Sequence, residues 1–149
     1  MPEIYVAGTP VAGTPVGAQT ITAQPGSNLL DVLLEHGHKV PWSCRSGQCQ
    51  SCLVQARPDE VPSAAQAQLN AEQQSKGWLL ACQCQLQQDM HISLHNPATD
   101  DLPARISDMR YLADDILLLR VTPERPLRFR AGQHMVLWLD DTLARPYSI

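Results

Sequence analysis

The chain has 149 residues, a formal net charge of −4, an apolar content of 44% and a charged content of 17%. This apolar content allows a buried core, and the length allows one domain or two small ones. An acidic chain lacks the basic face of a general nucleic-acid binder, and no stretch is apolar over the length of a membrane span. We therefore expect neither a nucleic-acid partner nor a membrane.

Two strands are predicted near the start, at Glu3–Ala7 and Gly17–Ala23. Between them a five-residue unit, V-A-G-T-P, occurs twice in tandem, at 6–10 and 11–15. Prolines at both ends of the second copy are incompatible with a regular β-ladder. We interpret the repeat as a hairpin loop lengthened by duplication.

A short helix that packs on the core is predicted next. Asn28 is a residue type favoured at helix N-caps, and Gly37 is suited to the C-cap. The leucines between them recur at i, i+1, i+4 and i+5, which indicates one buried helical face.

The cysteine spacing carries the strongest chemical signal. Cys44, Cys49 and Cys52 form a C-x4-C-x2-C pattern, and Cys82 follows after 29 further residues. Plant-type 2Fe-2S clusters use this spacing, because two irons need two thiolates each and one tight loop cannot surround both. Gly47 can take a positive φ angle, which lets backbone N–H groups turn toward the cluster sulfides. On the strand expected here, Cys82 and Cys84 have the same parity, so alternation does not choose the fourth ligand.

Disulfides and a zinc site are the two alternative uses of the cysteines. The number of cysteines is odd and no segment resembles a signal peptide, so a cytoplasmic chain with reduced thiols is expected rather than disulfides. A zinc site could use Cys49, Cys52, Cys82 and Cys84. That set leaves Cys44 unused and includes a cramped C-x-C pair, so the iron cluster is favoured.

The histidines do not suggest a Rieske centre, which needs two matched Cys–His pairs. His36 and His38 precede the cysteine loop, and His91 and His95 follow Cys84. We expect these four to be surface or strand residues.

Further elements surround the cysteines. A capping-box pattern begins at Asn70, and Gly77 ends that turn. Strands are predicted at Leu53–Ala56, Trp78–Cys82 and Met90–Leu94. Together with the first two strands and the helix, they predict a mixed sheet of the α+β class.

A second region is expected after a polar, proline-flanked connector at 96–103, so we divide the chain into 1–98 and 99–149. All bases of the second region are arginines. Strands are predicted there at Ala104–Tyr111, Ile116–Val121 and Met135–Leu139.

Residues 1–98 resemble the plant-type 2Fe-2S ferredoxin family. The matching residues are Cys44, Arg45, Gly47, Cys49, Cys52 and the segment Leu79-Leu80-Ala81-Cys82-Gln83. The resemblance implies a β-grasp fold and electron transfer. It also favours Cys82 as the fourth iron ligand beside Cys44, Cys49 and Cys52, with Cys84 as a small buried hydrophobe.

Residues 99–149 resemble the opening of the flavin-binding barrel of ferredoxin–NADP reductase-like proteins. The resemblance rests on Phe129-x-Ala131-Gly132-Gln133 and Arg145-Pro146-Tyr147-Ser148. It implies that, with FAD, Arg145 contacts the phosphate, Tyr147 stacks on the ring and Ser148 hydrogen-bonds the ring. The sequence contains only part of such an antiparallel β-barrel. We therefore expect exposed strand edges, capable of self-association, and no tight flavin binding by this chain alone.

Both resemblances together are typical of reductases that supply oxygenases, with ferredoxin, flavin and nicotinamide domains in that order. Such a protein passes electrons from NAD(P)H through flavin and cluster to an oxygenase component. On this interpretation the chain as given carries electrons, and NAD(P)H oxidation needs the rest of a longer protein. The alternative is a stand-alone ferredoxin electron carrier with a C-terminal dimerisation segment. Flavin stoichiometry distinguishes the two.

Overall fold

The computed structural model describes residues 1–7, 10–11, 14–15, 18–140 and 143–148. Strands β1 (Glu3–Val6) and β4 (Gln19–Thr22) pair in antiparallel fashion, so the tandem repeat does lie in a hairpin connection. Within it, β2 (Pro10–Val11) pairs with β3 (Thr14–Pro15). Residues 8–9 and 12–13 of the repeat, and Gly17 of the second predicted strand, lie outside the described residues.

The main sheet has five strands in the order β4-β1-β7-β5-β6. Its later strands are β5 (Leu53–Ala56), β6 (Trp78–Leu80) and β7 (Met90–Leu94). Strand β7 runs parallel to β1 and antiparallel to β5. The last predicted strand of this region is therefore the central strand of the sheet.

One helix, α1 (Leu29–Glu35), packs its leucines into the core. The Asn28 side chain accepts hydrogen bonds from the backbone N–H groups of Leu30 and Asp31, as an N-cap does. Gly37 follows the helix with φ of 82°, in agreement with the predicted C-cap. Leu29, Leu30 and Leu33 of the predicted stripe are fully buried, and Leu34 packs against them.

The return to the sheet runs through short turns of 3₁₀-helix at Pro58–Glu60 and Ser63–Gln66 and through helix α2 (Ala71–Ser75). The predicted capping box is present, because Asn70 and Gln73 exchange side-chain to backbone hydrogen bonds. A further 3₁₀ turn, Ala81–Gln83, begins where β6 ends, so the strand predicted at Trp78–Cys82 stops at Leu80. Cys82 and Cys84 therefore do not share one strand, and the parity argument that linked them was wrong.

The predicted boundary after residue 98 falls within a one-turn helix, α3 (Pro97–Asp100), which Asn96 caps. After this helix, the second region forms two hairpins, each a separate two-stranded sheet. They are β8 (Ala104–Ala113) with β9 (Ile116–Pro123), and β10 (His134–Trp138) with β11 (Ala144–Ser148). These unclosed sheets confirm the prediction of an incomplete antiparallel barrel segment. Within the described ranges, no helix has the length and apolarity needed to cross a membrane.

Candidate metal centre

The cysteine loop joins α1 to β5 and has an unusual backbone. Arg45, Gly47 and Gln50 all have positive φ angles, of 53°, 82° and 56°. For arginine and glutamine this conformation is costly, and such strain is found mostly where function requires it. Turns that contain left-handed residues can bring backbone N–H groups onto one concave side, which suits an anion.

Cys44 is the exposed thiol of this loop, and its sulfur is held by backbone donors. The N–H groups of Ser46 and Cys49 each donate to Cys44 Sγ at 3.3 Å. Partial burial raises the pKa of the Cys44 thiol, but the hydrogen bonds from Ser46 and Cys49 outweigh it and lower the pKa to about 6. The loop is thus built to stabilise a thiolate at this position before any metal arrives.

Cys52 lies buried at the start of β5, next to the segment that carries Cys82. The pairing of β5 with β6 brings them together, and the Ala81 N–H donates to the Cys52 carbonyl at 3.0 Å. Burial raises the pKa of the Cys52 thiol, the adjacent thiols of Cys82 and Cys49 also raise it, and a hydrogen bond from the Cys82 backbone lowers it, which leaves the pKa at about 12. A bound cation favours the thiolate and would oppose this effect. The donor set therefore fits a sulfur-ligated metal.

Cys84 is placed differently from Cys82. Its side chain is fully buried in the core, with Sγ 3.9 Å from the Met90 sulfur, and burial raises its pKa to about 12. Cys82, in contrast, is only partly buried. Within the described ranges, no three His, Cys, Asp or Glu side chains are placed to hold one ion.

Asn28 connects the helix cap to the fourth cysteine, a role that the sequence alone did not reveal. Its Nδ2 donates to the Cys82 carbonyl at 2.9 Å, while its Oδ1 caps α1. The Leu29 N–H also donates to the Cys84 carbonyl at 2.9 Å. The start of α1 thus fixes the backbone on both sides of Gln83.

Three side chains form a brace beside the exposed thiol. The Arg45 guanidinium donates to the Asp31 carboxylate at 2.7 Å and lies 4.5 Å from the centre of the Trp42 ring. Trp42 remains about half exposed. This brace fixes the Arg45 side chain on the outer face of the loop.

The histidines contact carbonyl, carboxylate and aromatic groups of the protein. His36 bonds the Val32 carbonyl, and His91, a residue of β7 as predicted, contacts Glu60 at 2.8 Å. The prediction for His95 was wrong, because its side chain is only 7% exposed. It stands between the rings of Trp78 and Trp138, at the junction of the two regions, and contacts the Asp101 carboxylate at 2.8 Å.

The residues expected to contact flavin lie on β11 but do not share one face. Arg145 and Tyr147 oppose Leu137 and Met135 in the β10–β11 register, while Ser148 opposes His134. Directly opposed residues point to the same face of a sheet and successive residues alternate, so Ser148 faces away from Arg145 and Tyr147. All three are exposed.

A cavity of about 610 Å³ separates the cysteine loop from the second hairpin. Its lining includes Cys49 and Gln50 on the loop side and His134 and Trp138 on the β10 side, with His95 between them. The Ser148 face of this hairpin is thus the one turned toward the cysteines.

Comparison with known proteins agrees with this geometry. Residues 14–87 match the family of 2Fe-2S iron-sulfur cluster binding domains. The chain is 33% identical over 132 residues to the reductase component of a naphthalene 1,2-dioxygenase system from Pseudomonas putida, covering 83% of this chain and 40% of that protein. It is 30% identical over 142 residues to the reductase subunit of an aromatic O-demethylase from Amycolatopsis sp., covering 89% of this chain and 42% of that protein.

A solved structure gives the same fold. The 2Fe-2S ferredoxin FdxB from Pseudomonas putida superposes with a TM-score of 0.50 at 20% identity, over 64% of this chain and 93% of the ferredoxin. The sheet, the helix and the cysteine loop thus define a β-grasp iron–sulfur domain. The chain belongs, through residues 14–87, to the 2Fe-2S cluster binding family, and it spans about 40% of the length of the curated reductase components that it matches.

Proposed function

We propose that this chain is the electron-transfer head of an NAD(P)H-dependent flavin and iron–sulfur reductase. Cys44, Cys49, Cys52 and Cys82 would hold the 2Fe-2S cluster. The observation that carries the proposal is the supply of thiols from two segments: a strained loop that already donates two N–H groups to Cys44, and a turn that lies against Cys52. When bound, such a cluster takes up and releases one electron at a time.

The surrounding residues supply the environment that such a centre needs. Cys49 and Cys52 are buried at the edge of the core, which limits water on that side. Backbone donors at Ser46 and Cys49 stabilise negative sulfur, and Asn28 fixes the backbone at Cys82. Burial and hydrogen bonding of this kind are what a protein uses to set a cluster's potential.

We place the domain boundary at residue 98, with 99–149 as the beginning of a flavin-type barrel. The similarity to reductase components supports this arrangement. In the complete protein, Arg145, Tyr147 and Ser148 would contact FAD, and the acceptor would be an oxygenase component in the cytoplasm. Flavin retention after dialysis, measured on this chain and on a longer one, tests the division: we expect tight flavin only in the longer chain.

A second candidate is a stand-alone ferredoxin carrier whose last hairpins mediate self-association. The exposed apolar residues of β8 and β9 favour it, among them Ile106, Met109, Leu112 and Ile116. Sedimentation at several concentrations separates the candidates. A stable dimer with no flavin affinity in any longer form would support the carrier and contradict the reductase.

The ligand assignment is tested by exchanging one cysteine at a time. We expect Cys82→Ser to abolish the visible absorbance of the native cluster, because one iron loses a thiolate. Cys84→Ser is the matched control, two residues away, and should keep that absorbance because its thiol points into the core. The opposite pattern would assign the fourth ligand to Cys84.

A further inference from the structure

Gln83 lies between Cys82 and Cys84 in the 3₁₀ turn, and its side chain crosses to the cysteine loop. Its Nε2 donates to the Arg45 carbonyl at 3.0 Å. The same nitrogen lies 3.5 Å from Cys82 Sγ, within hydrogen-bond distance for sulfur, and 3.4 Å from the Cys82 carbonyl. A glutamine amide has two N–H hydrogens, so one can serve Arg45 while the other turns toward Cys82.

The loop also packs directly on this side chain. A Cβ atom added at Gly47 would stand 3.1 Å from Gln83 Cγ and 3.4 Å from Gln83 Cδ. Gly47 has a φ of 82°, so the loop presents bare backbone to the glutamine. Gln83 therefore contacts the segment that supplies three thiols and the segment that supplies the fourth.

We propose that Gln83 is a positioning residue that fastens the Cys82 sulfur to the cysteine loop and donates a hydrogen bond to it. The proposal rests on the proposed function, in which Cys82 is a cluster ligand. A hydrogen bond to a ligating sulfur stabilises negative charge, and the reduced cluster carries one more negative charge than the oxidised cluster. The bond therefore raises the reduction potential, and the bridge slows the separation of the two ligand segments.

A purely structural glutamine would behave differently. Its removal would lower the thermal stability of the protein and would leave the reduction potential of the folded, cluster-loaded protein unchanged. The reduction potential is thus the measurement that separates the two roles.

The experiment compares Gln83→Leu with Gln48→Leu in the 149-residue chain loaded with iron and sulfide. Gln48 is the matched control, because it is an exposed glutamine of the cysteine loop, next to Cys49. We expect Gln83→Leu to lower the midpoint potential in an EPR-monitored titration. We also expect it to release iron to a chelator about tenfold faster, as the loss of one charge-assisted hydrogen bond implies. Gln48→Leu should match the wild type in both measurements.

A second pair of variants controls for a folding defect in Gln83→Leu. Gln83→Glu keeps the length of the side chain but removes the N–H donors, and Gln48→Glu adds the same charge to the loop. The downward shift of the potential should be larger at position 83 than at position 48. Equal shifts in this pair, or a wild-type potential for Gln83→Leu, would overturn the inference. If the wild type itself binds no cluster, the proposed function fails instead.

Discussion

The two regions of this chain differ in how far they bury their apolar side chains. Before residue 98, large residues such as Ile4 and Leu33 are fully buried between the sheet and α1. In the first hairpin of the second region, Tyr111 is 72% exposed and Ile116 is 53% exposed. A hairpin of two strands cannot bury both of its faces. The first region thus closes its own core, whereas the second has apolar faces that need a further layer.

The difference arises from the order of elements along the chain. In the first region the stripe of leucines on α1 packs across the mixed sheet and covers one face of it. In the second region, every residue of β8 is exposed, and β8 and β9 pair only with each other. Stability should therefore be concentrated in the first region.

Two glycines with nearly the same φ angle provide the test of this contrast with the largest expected effect. Gly77 has φ of 79° and Gly132 has φ of 88°. A Cβ at Gly77 would meet the Ala56 carbonyl oxygen at 1.9 Å, whereas one at Gly132 would meet nothing within 4 Å. We expect Gly77→Ala to lower the free energy of unfolding by roughly 3–5 kcal/mol, from left-handed strain and the displaced backbone bond between Ala56 and Gly77.

The matched variant, Gly132→Ala, should cost only the left-handed strain, about 1–2 kcal/mol, and only within the second region. Urea unfolding followed by far-UV circular dichroism measures both. Equal losses would mean that the close approach at Gly77 does not determine the stability of the sheet.

Leucine truncation gives the next effect in size. Leu33→Ala opens a cavity in the core and should cost about 2–5 kcal/mol. Leu117 lies on β9 with 41% of its surface exposed, so Leu117→Ala should cost less than about 1 kcal/mol. Thermal unfolding of the two variants provides the measurement. A large loss for Leu117→Ala would show that another surface covers the hairpin in solution.

The features that sequence could predict are local ones. Asn28 and Asn70 carry cap signals within three residues of the groups they bond, and the leucine stripe follows helical periodicity. The cysteine spacing likewise identifies a cluster, because ligand geometry limits the length of the loop. Apart from the fourth cysteine, Cys82, which lies 30 positions after Cys52, these predictions needed no knowledge of distant contacts.

The features that sequence missed depend on residues far apart in the chain. The turn at Ala81–Gln83 is followed by backbone bonding between Leu29 and Cys84, across 55 positions, which no strand periodicity encodes. The burial of His95 requires two tryptophans, Trp78 and Trp138, that belong to different regions. The hydrogen bond from Gln83 to the Arg45 carbonyl likewise joins residues that are far apart in the sequence.

Truncation gives the smallest expected effect and tests whether the first region is independent. A chain that ends at residue 98 keeps the complete five-stranded sheet and α1. It loses the Trp138 ring and the carboxylates of Asp100 and Asp101, all of which contact His95. We expect it to bind the cluster with an unchanged visible spectrum and to lose only about 1–2 kcal/mol of stability.

A second truncation, ending at residue 102, separates the loss of the ring contact from the loss of the carboxylate contact. It lacks Trp138 but keeps Asp100 and Asp101, so His95 keeps its carboxylate partner. Its free energy of unfolding should exceed that of the shorter chain by about 1 kcal/mol, the value of one hydrogen bond. If neither chain folds, residues 1–98 are not an autonomous domain and the proposed boundary is wrong. If both fold with the same stability, the His95–Asp101 contact contributes nothing, and the junction is stabilised by the ring contacts of His95 alone.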